Sequence, residues 1–244
     1  MMNSSKSIFL LFMSCWFGGQ IASAQTTSPL RVRVLTYNIR HGEGMDGKLD
    51  LERIAKTIAA AEPDVVSLQE VDRGVTRSQK LDEPRELGRL LGMEHLFERN
   101  IVHQGGDYGN AVLTKLPVKG HKNYPLPSHA KGEQRGALVV ELTAPDGKTP
   151  LRFIATHFDY RRDDGERLDS VSYLDKLLTD LTPMPTILAG DLNSLPESAT
   201  LKALDANWKR AEETPQPTFP ADHPNRQIDF VLARPAHRWR ILES

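Results

Sequence analysis

Short polar side chains follow an apolar run near residue 190, and their chemistry suits binding a cation or activating a water molecule. Residues 185–189 are largely apolar, and Gly190-Asp191-Leu192-Asn193 comes directly after them. This pattern predicts a buried strand over 185–191 that delivers its last residues to a surface. Gly190 permits a tight exit, and Asp191 and Asn193 then present a carboxylate and a carboxamide on the same side of an extended chain. An ordinary strand followed by an Asp-Asn turn is the alternative.

Other predicted strands also end in short polar side chains, called polar tips below, and together these residues suggest one site. They are Tyr37-Asn38, Gln69-Glu70, Thr156-His157-Phe158-Asp159 and Ile228-Asp229-Phe230. If the tips meet at one edge of the sheets, the site combines hard oxygen ligands with one histidine. Oxygen ligands without cysteine suit Mg²⁺ or Mn²⁺ and argue against a structural zinc site. Taken singly, Glu70 is typical of a solvated residue and His157 of a structural histidine, so the interpretation depends on the joint pattern.

The elements that must position these residues are strands mixed with a few helices. Asp50 is expected to cap a helix that starts at Leu51 and is stopped by Glu62-Pro63, and Pro84 lies in the first turn of a helix that reaches Gly92. The other predicted elements are helices at 168–181 and 198–205 and strands at 31–37, 65–68, 94–102, 108–114, 136–143, 151–158, 185–191, 227–233 and 237–242. Many links have hairpin length, which favours an α/β sandwich of packed mixed or antiparallel sheets with outer helices over a parallel doubly wound sheet.

The first 24 residues are predicted to be a secretory signal peptide. Lys6 forms a short basic region, residues 8–17 are apolar, and Ala22-Ser23-Ala24 matches a cleavage site before Gln25. The apolar run is too short to anchor the chain, so no integral membrane segment is expected after cleavage. The single cysteine, Cys15, lies in this segment. The mature chain is therefore expected to be secreted or periplasmic, without a thiol or a disulfide.

Residues 25–244 are predicted to form a single domain of near-neutral charge. The whole chain has 31 basic and 32 acidic side chains, and its formal charge of −1 becomes −2 once Lys6 is removed. The sequence shows no basic footprint of the kind that strong nucleic-acid-binding proteins usually carry. The composition therefore favours partners other than nucleic acid.

The polar tips belong to a larger ordered set of motifs. The set comprises Tyr37-Asn38-Ile39, Leu68-Gln69-Glu70, Tyr108-Gly109-Asn110-Ala111-Val112-Leu113, Thr156-His157-Phe158, Gly190-Asp191-Leu192-Asn193, Pro217-Thr218-Phe219 and Ile228-Asp229-Phe230. In order and spacing, the set resembles the endonuclease/exonuclease/phosphatase family, also called the DNase-I-like family, over residues 31–233. The resemblance implies a four-layered α/β sandwich with its site at one end of two packed sheets, and metal-assisted hydrolysis of a phosphoester.

The resemblance also implies roles for individual residues. Glu70 matches the family's principal metal carboxylate, with Asn38 beside it on the metal or on phosphate. Asp191 and Asn193 match the pair that positions or deprotonates the attacking water and holds the phosphoryl group. His157 matches a histidine that contacts a phosphate oxygen or acts as an acid. The residues implied on the phosphate side are Thr218, Arg135 and Asn110. The implied cofactor is Mg²⁺ or Mn²⁺, whose charge stabilises an in-line displacement.

One departure from the family concerns Asp229. Family members usually continue into a Ser-Asp-His run, whose Asp serves the metal and whose His, oriented by the equivalent of Asp229, assists catalysis. Because this chain ends at Ser244, the domain is expected to lack that run and the family's final strand. Asp222-His223 precedes Asp229 and is a poor substitute. A truncated form of a normal enzyme is favoured over an intact but impaired protein, because Asp229 keeps its carboxylate.

Two classes of function remain open. The first is a secreted divalent-metal-dependent phosphoesterase that hydrolyses phosphodiester or phosphomonoester bonds, with a lipid headgroup, a sugar phosphate or nucleic acid as substrate. A nuclease is the less favoured form of this class. The second is a catalytically impaired binding module that keeps the sandwich. The retained polar tips favour the enzyme, and the chain is expected to be a monomer.

Overall fold

The first sheet contains the strands that carry Asn38 and Glu70. The computed structural model describes residues 30–129, 132–212 and 214–244, so the predicted signal peptide lies outside the described residues. The strands are β1 (Val34–Asn38), β2 (Val65–Arg73), β3 (Glu94–His103) and β4 (Gly106–Thr114), in the spatial order β1-β2-β4-β3. β1 and β2 run parallel, and the other two pairings are antiparallel, so this sheet is mixed.

The second sheet contains the strands that carry His157, Asp191 and Asp229. Its strands are β5 (Val118–Pro125), β6 (Gly136–Thr143), β7 (Pro150–His157), β8 (Thr186–Asp191), β9 (Lys209–Arg210) and β10 (Asp229–Arg234), in the order β5-β6-β7-β8-β10-β9. β7 and β8 are parallel, and all other pairings are antiparallel. This sheet is therefore mixed as well.

Two pairs of helices cover the outer faces of the sheets. They are α1 (Leu51–Ala60) and α2 (Glu83–Leu91) on the first sheet, and α3 (Gly165–Asp180) and α4 (Ala199–Asp205) on the second. The side chains of β6 alternate between the two faces of its sheet. Leu138 and Val140 pack between the two sheets, whereas Ala137 and Val139 pack on the outer face with Leu174 of α3. The predicted four-layered sandwich of two mixed sheets with outer helices is confirmed. Within the described ranges, no helix is long and apolar enough to cross a membrane.

The ends of α1 and α2 follow the sequence signals. Asp50 Oδ1 accepts a hydrogen bond from the Arg53 N–H at 2.8 Å, and α1 ends just before Glu62-Pro63. Asp82 caps α2 in the same way at 3.2 Å, and Gly92 follows that helix with a φ of 64°. Both predicted helices are confirmed.

The strand predicted at 237–242 is wrong. Ala236–Arg238 form a single 3₁₀ turn, and the Trp239 indole N–H donates to the Arg234 carbonyl at 3.0 Å. Two observed strands, β5 and β9, were not predicted. β5 is an edge strand whose lysines and Gly120 interrupt the apolar alternation, and β9 has only 2 residues, too few to form a pattern.

Candidate active site

The predicted polar tips converge on one cleft, but only three of them end a strand as predicted, because Glu70 lies within β2 and Asp229 is the first residue of β10. His157 and Asp191 are register partners at the ends of parallel β7 and β8, and Asp229 pairs with Asp191 from antiparallel β10. Asn38 ends β1, and Glu70 lies in β2 of the opposing sheet. All five side chains line a cleft of about 1640 Å³. The structure thus brings together residues that the sequence separates by up to 191 positions, from Asn38 to Asp229.

Asn38 connects the two sheets at the floor of this cleft. Its Nδ2 donates to Glu70 Oε1 at 2.8 Å and to Asp191 Oδ2 at 3.2 Å. Its Oδ1 accepts from the Arg40 N–H at 3.1 Å, which fixes the orientation of the amide. Asn38 therefore holds two carboxylates, one from each sheet, close to each other.

Glu70 reaches the cleft because β2 contains a β-bulge. Leu68 pairs with Ala111 and Val71 pairs with Gly109, so β2 has one more residue than β4 over this stretch. Glu70 has a φ of 57°, a left-handed conformation that disfavours any residue with a side chain. Such strain is tolerated where the surrounding structure enforces it, and it is common at functional sites. The bulge therefore points to a functional constraint on Glu70.

Asp191 and Asn193 are joined by a turn rather than by an extended chain. The Asn193 N–H donates to Asp191 Oδ1 at 2.9 Å, and Asn193 itself has a φ of 47°. The tight exit predicted at Gly190 is therefore made by Asn193. Gly190 lies within β8, where a Cβ atom would stand 2.0 Å from the Thr156 carbonyl oxygen. Glycine is required there by the close approach of β7.

His157 is held between Arg135 and the Asp191-Asn193 turn. Arg135 Nη1 lies 3.1 Å from His157 Nδ1, and Asn193 Nδ2 lies 3.0 Å from Nε2. Both neighbours can only donate, whereas a neutral imidazole accepts at one nitrogen. The charged guanidinium is the stronger donor, and Asn193 Nδ2 also donates to the Phe158 carbonyl at 3.0 Å, so Nδ1 is favoured as the acceptor, with the ring proton on Nε2. Nε2 is 3.7 Å from Asp191 Oδ2. Burial, assisted by the positive charge of Arg135, lowers the pKa of His157 well below its usual value, so the ring is neutral.

Asp191 is buried, and its cross-strand partner Asp229 is half-buried. Burial raises the pKa of both, and the pKa of Asp191 is raised further by the negative charge of Asp229. Hydrogen bonds from the Asn193 N–H and from Asn38 oppose the rise at Asp191, and the Thr218 hydroxyl opposes it at Asp229. The pair therefore resists carrying two negative charges at once, and a bound cation would relieve this.

The carboxylates and amide of the cleft fit a hard divalent cation. Among the described residues, no three His, Cys, Asp or Glu side chains are already grouped as a metal site. The available donors are nevertheless oxygens, from Glu70, Asp191 and Asp229, with Asn38 beside them. Asp229 Oδ1 is buried and has no hydrogen-bond partner within the described part of the chain. Oxygen donors with an unsatisfied buried carboxylate suit Mg²⁺ or Mn²⁺.

The remaining predicted residues lie in different surroundings. Thr218 lines the cleft, and its Oγ1 accepts from the N–H groups of Ile228 and Asp229 at 3.1 and 3.3 Å. Arg135 also lines the cleft, and its Nη1 contacts Glu133 Oε1 at 2.5 Å. Asn110 is different, because it is 1% exposed and its Nδ2 donates to the Gly136 carbonyl at 3.0 Å, which places it beneath the cleft wall.

Several residues of the cleft wall were not predicted. They are Arg77, Tyr108, Glu133, Tyr160, Phe219 and Arg226. Glu133 precedes Arg135 by two positions, a spacing that could have indicated a shared face. Phe219 and Arg226 meet only through the pairing of a loop, which no periodicity indicates. Asp222-His223 is not among the residues that line the cleft, as expected for a poor substitute.

A sandwich of two mixed sheets, with acidic groups, amides and one histidine at one common edge, defines a DNase-I-like protein. The chain belongs to the Endonuclease/Exonuclease/phosphatase family, whose model matches residues 35–241. The resemblance inferred from the motifs is thereby confirmed. The family includes phosphatases and nucleases.

Known relatives are similar along most of the chain. Uncharacterized protein YbhP of Escherichia coli K12 is 25% identical over 242 residues, which cover 89% of this chain and 94% of that protein. A structure of an endonuclease/exonuclease/phosphatase from Beutenbergia cavernae is 25% identical with a TM-score of 0.65, and the match covers 84% of this chain but 64% of that one. A mannosyl-6-phosphatase from Bacteroides thetaiotaomicron is 17% identical with a TM-score of 0.66, over 84% of this chain and 86% of that one. The last similarity shows the fold.

Proposed function

We propose that this protein is a secreted, divalent-metal-dependent phosphoesterase that hydrolyses phosphodiester or phosphomonoester bonds with water. The observation that carries the proposal is the single cleft in which Asn38, Glu70, His157, Asp191 and Asp229 meet. A purely structural sheet edge has no need to gather carboxylates whose pKa values are raised by burial and, at Asp191, also by the charge of Asp229. Membership of the family supports the same reaction class.

Glu70 and Asn38 are the proposed metal-binding residues, with Mg²⁺ or Mn²⁺ as the ion. When bound, the ion supplies positive charge that stabilises the developing charge on phosphate oxygens. Asp191 and Asn193 orient the attacking water, with Asp191 as the acceptor of its proton. The Nε2–H of His157 donates to a phosphate oxygen.

The flanking residues complete the proposed phosphate site. Arg135 holds the ring of His157, and Asp229 keeps negative charge next to Asp191. Thr218 fixes the backbone on which Asp229 stands, and its hydroxyl lies at the cleft. Asn110 would act on the phosphate side only indirectly, through the Gly136 carbonyl that it orients.

Hydrolysis of bis-p-nitrophenyl phosphate and of p-nitrophenyl phosphate tests the proposal. We expect turnover that requires Mg²⁺ or Mn²⁺, that EDTA abolishes, and that Asp191→Ala lowers by a factor on the order of 10² to 10³. Asp205→Ala is the matched control, because Asp205 is an exposed aspartate at the end of α4. Metal binding without turnover by the wild-type protein would instead indicate the non-catalytic binding module.

The substrate classes proposed are a lipid headgroup, a sugar phosphate or, less favoured, nucleic acid. The protein is proposed to act as a monomer in the secreted or periplasmic space after cleavage behind Ala24. N-terminal sequencing of the exported protein tests this location, and a mature chain that starts elsewhere than Gln25 would contradict the predicted cleavage site.

A further inference from the structure

A short hairpin forms one lip of the cleft. Phe219 and Arg226 are directly paired, with the Phe219 N–H donating to the Arg226 carbonyl at 3.0 Å and the Arg226 N–H donating to the Phe219 carbonyl at 3.1 Å. Both side chains line the cleft. The hairpin is built from residues 218–227, immediately before Asp229.

The two side chains form a stacked pair at this lip. The Arg226 guanidinium carbon lies 4.8 Å from the centre of the Phe219 ring. The phenylalanine is 40% exposed, although such a side chain is usually buried. Among the described residues, no carboxylate forms an ion pair with Arg226. The pair therefore brings an apolar aromatic ring and an uncompensated positive charge together at the cleft.

The base of the hairpin is fixed to the site. Thr218 Oγ1 accepts the N–H groups of Ile228 and Asp229. Gln227, which is 3% exposed, accepts from the Gln216 N–H at 3.0 Å and donates to the Asp229 carbonyl at 3.1 Å. The stacked pair is therefore held next to Asp229 before any substrate arrives, and little ordering is needed on binding.

We propose that the Phe219-Arg226 pair is a binding subsite for a flat-faced ring that carries the phosphate, either a sugar ring or an aromatic ring. The inference rests on the proposed function, because it places the phosphate of the substrate at Asp191 and Asp229. The cleft volume of about 1640 Å³ exceeds that of a typical small-molecule pocket and leaves space for such a group beside the phosphate. A flat ring can stack on the free face of the Phe219 ring or of the Arg226 guanidinium, whereas a flexible acyclic group does not present a continuous face.

Isothermal titration calorimetry on the full mature chain tests the subsite without requiring turnover. The probes are phenyl phosphate, glucose 6-phosphate and glycerol 3-phosphate, each with Mg²⁺ present, and the protein carries Asp191→Ala so that the probes are not hydrolysed during the titration. With Phe219 and Arg226 intact, we expect this protein to bind at least one of the two ring compounds about fivefold or more tightly than the acyclic one. The phenyl and glucose compounds distinguish an aromatic ring from a sugar ring.

Substitutions at the pair should remove this preference. We expect Phe219→Ala to equalise the affinities for ring and acyclic compounds, Phe219→Tyr to retain the preference, and Arg226→Gln to reduce it. The matched controls are Val102→Ala and Arg85→Gln, which alter exposed residues outside the cleft. Equal affinities when Phe219 and Arg226 are both intact, or a preference that persists in Phe219→Ala, would overturn the subsite. Failure of the phosphoesterase proposal is recognised separately, by the lack of metal-dependent turnover of bis-p-nitrophenyl phosphate.

Discussion

The protonation of His157 in the cleft depends on the neighbouring side chain of Arg135. Arg135 favours a proton on Nε2 of His157, because the charged guanidinium next to Nδ1 is a stronger donor than the neutral Asn193 amide next to Nε2. The side chains of Arg135 and His157 are almost fully buried, so water does not substitute for either partner. The chemistry proposed for His157 therefore depends on a second residue.

Replacement of Arg135 tests this dependence. We expect Arg135→Met to lower kcat on the order of a hundredfold, because His157 can then place its proton on Nδ1 and lose the donor at Nε2. Arg135→Lys should retain much more activity, because an ammonium group also only donates. Nitrogen NMR of labelled histidine should show a protonated Nε2 in the wild type and in the lysine variant. A ring protonated on Nδ1 in the wild type would contradict the assignment.

Glu70 combines a strained left-handed backbone conformation with a proposed role in metal binding. We expect Glu70→Gly to raise the free energy of unfolding by about 1 kcal/mol in EDTA, because glycine adopts the left-handed conformation without penalty. Metal-dependent hydrolysis should be lost at the same time. Glu70→Gln is the control, since it removes the charge but keeps the side chain at a φ of 57°. If the glycine and glutamine variants unfold at the same urea concentration, the conformational strain is not significant.

Among the elements, α2 starts with a buried acid. Glu83 is 0% exposed, its Oε2 accepts the Asp72 N–H at 2.8 Å, and its Oε1 has no partner among the described residues. Burial, together with the negative charge of Asp72, raises its pKa from 4.5 to about 8. The folded protein therefore prefers the protonated side chain.

The pKa of Glu83 predicts a pH-dependent stability. Its stabilising contribution is fully present below pH 4.5, the unfolded value, and is lost as the pH rises through about 8. We expect Glu83→Gln, which stays neutral, to be more stable than the wild type by about 1–3 kcal/mol at pH 8 and to lose this advantage at pH 4.5. Urea unfolding at both pH values measures it, with Glu52→Gln on the exposed face of α1 as the control. Parallel behaviour of wild type and Glu83→Gln would rule out the buried ionisation.

Elements whose signals are local could be predicted from the sequence. Asp50 and Gly92 mark helix ends that the structure retains, and alternation gave β6 its observed bounds of Gly136–Thr143. The polar tips indicated a common site only on the condition that they meet at one edge, and the structure supplies the reason for His157 and Asp191, because β7 and β8 are parallel and end side by side. The bulge at Glu70 was not predictable, because it depends on how β2 pairs with β4.

At the scale of the whole molecule, the proposed ion should stabilise the fold, because Asn38 and Glu70 come together only when β1 and β2 are paired in the folded protein. We expect Mg²⁺ at a hundred times its dissociation constant to raise the free energy of unfolding by about 2.7 kcal/mol. EDTA should reverse the effect, and Glu70→Gln should reduce it more than Glu52→Gln does. Thermal unfolding with and without Mg²⁺ measures this linkage, and a melting temperature that is the same in both conditions would argue against an intact metal site.

The amide of Asn38 touches a carboxylate 153 positions further along the chain. A chain that has formed only its first sheet therefore has Asn38 and Glu70 in place but lacks Asp191, which is supplied by β8. Contacts so distant in sequence form late, because closing a long loop costs conformational entropy before the contact contributes favourable free energy. After dilution from urea, far-ultraviolet circular dichroism should recover first and hydrolysis should return with a lag. Enzymatic turnover would then report on the docking of the two halves, which the signal from secondary structure alone does not reveal.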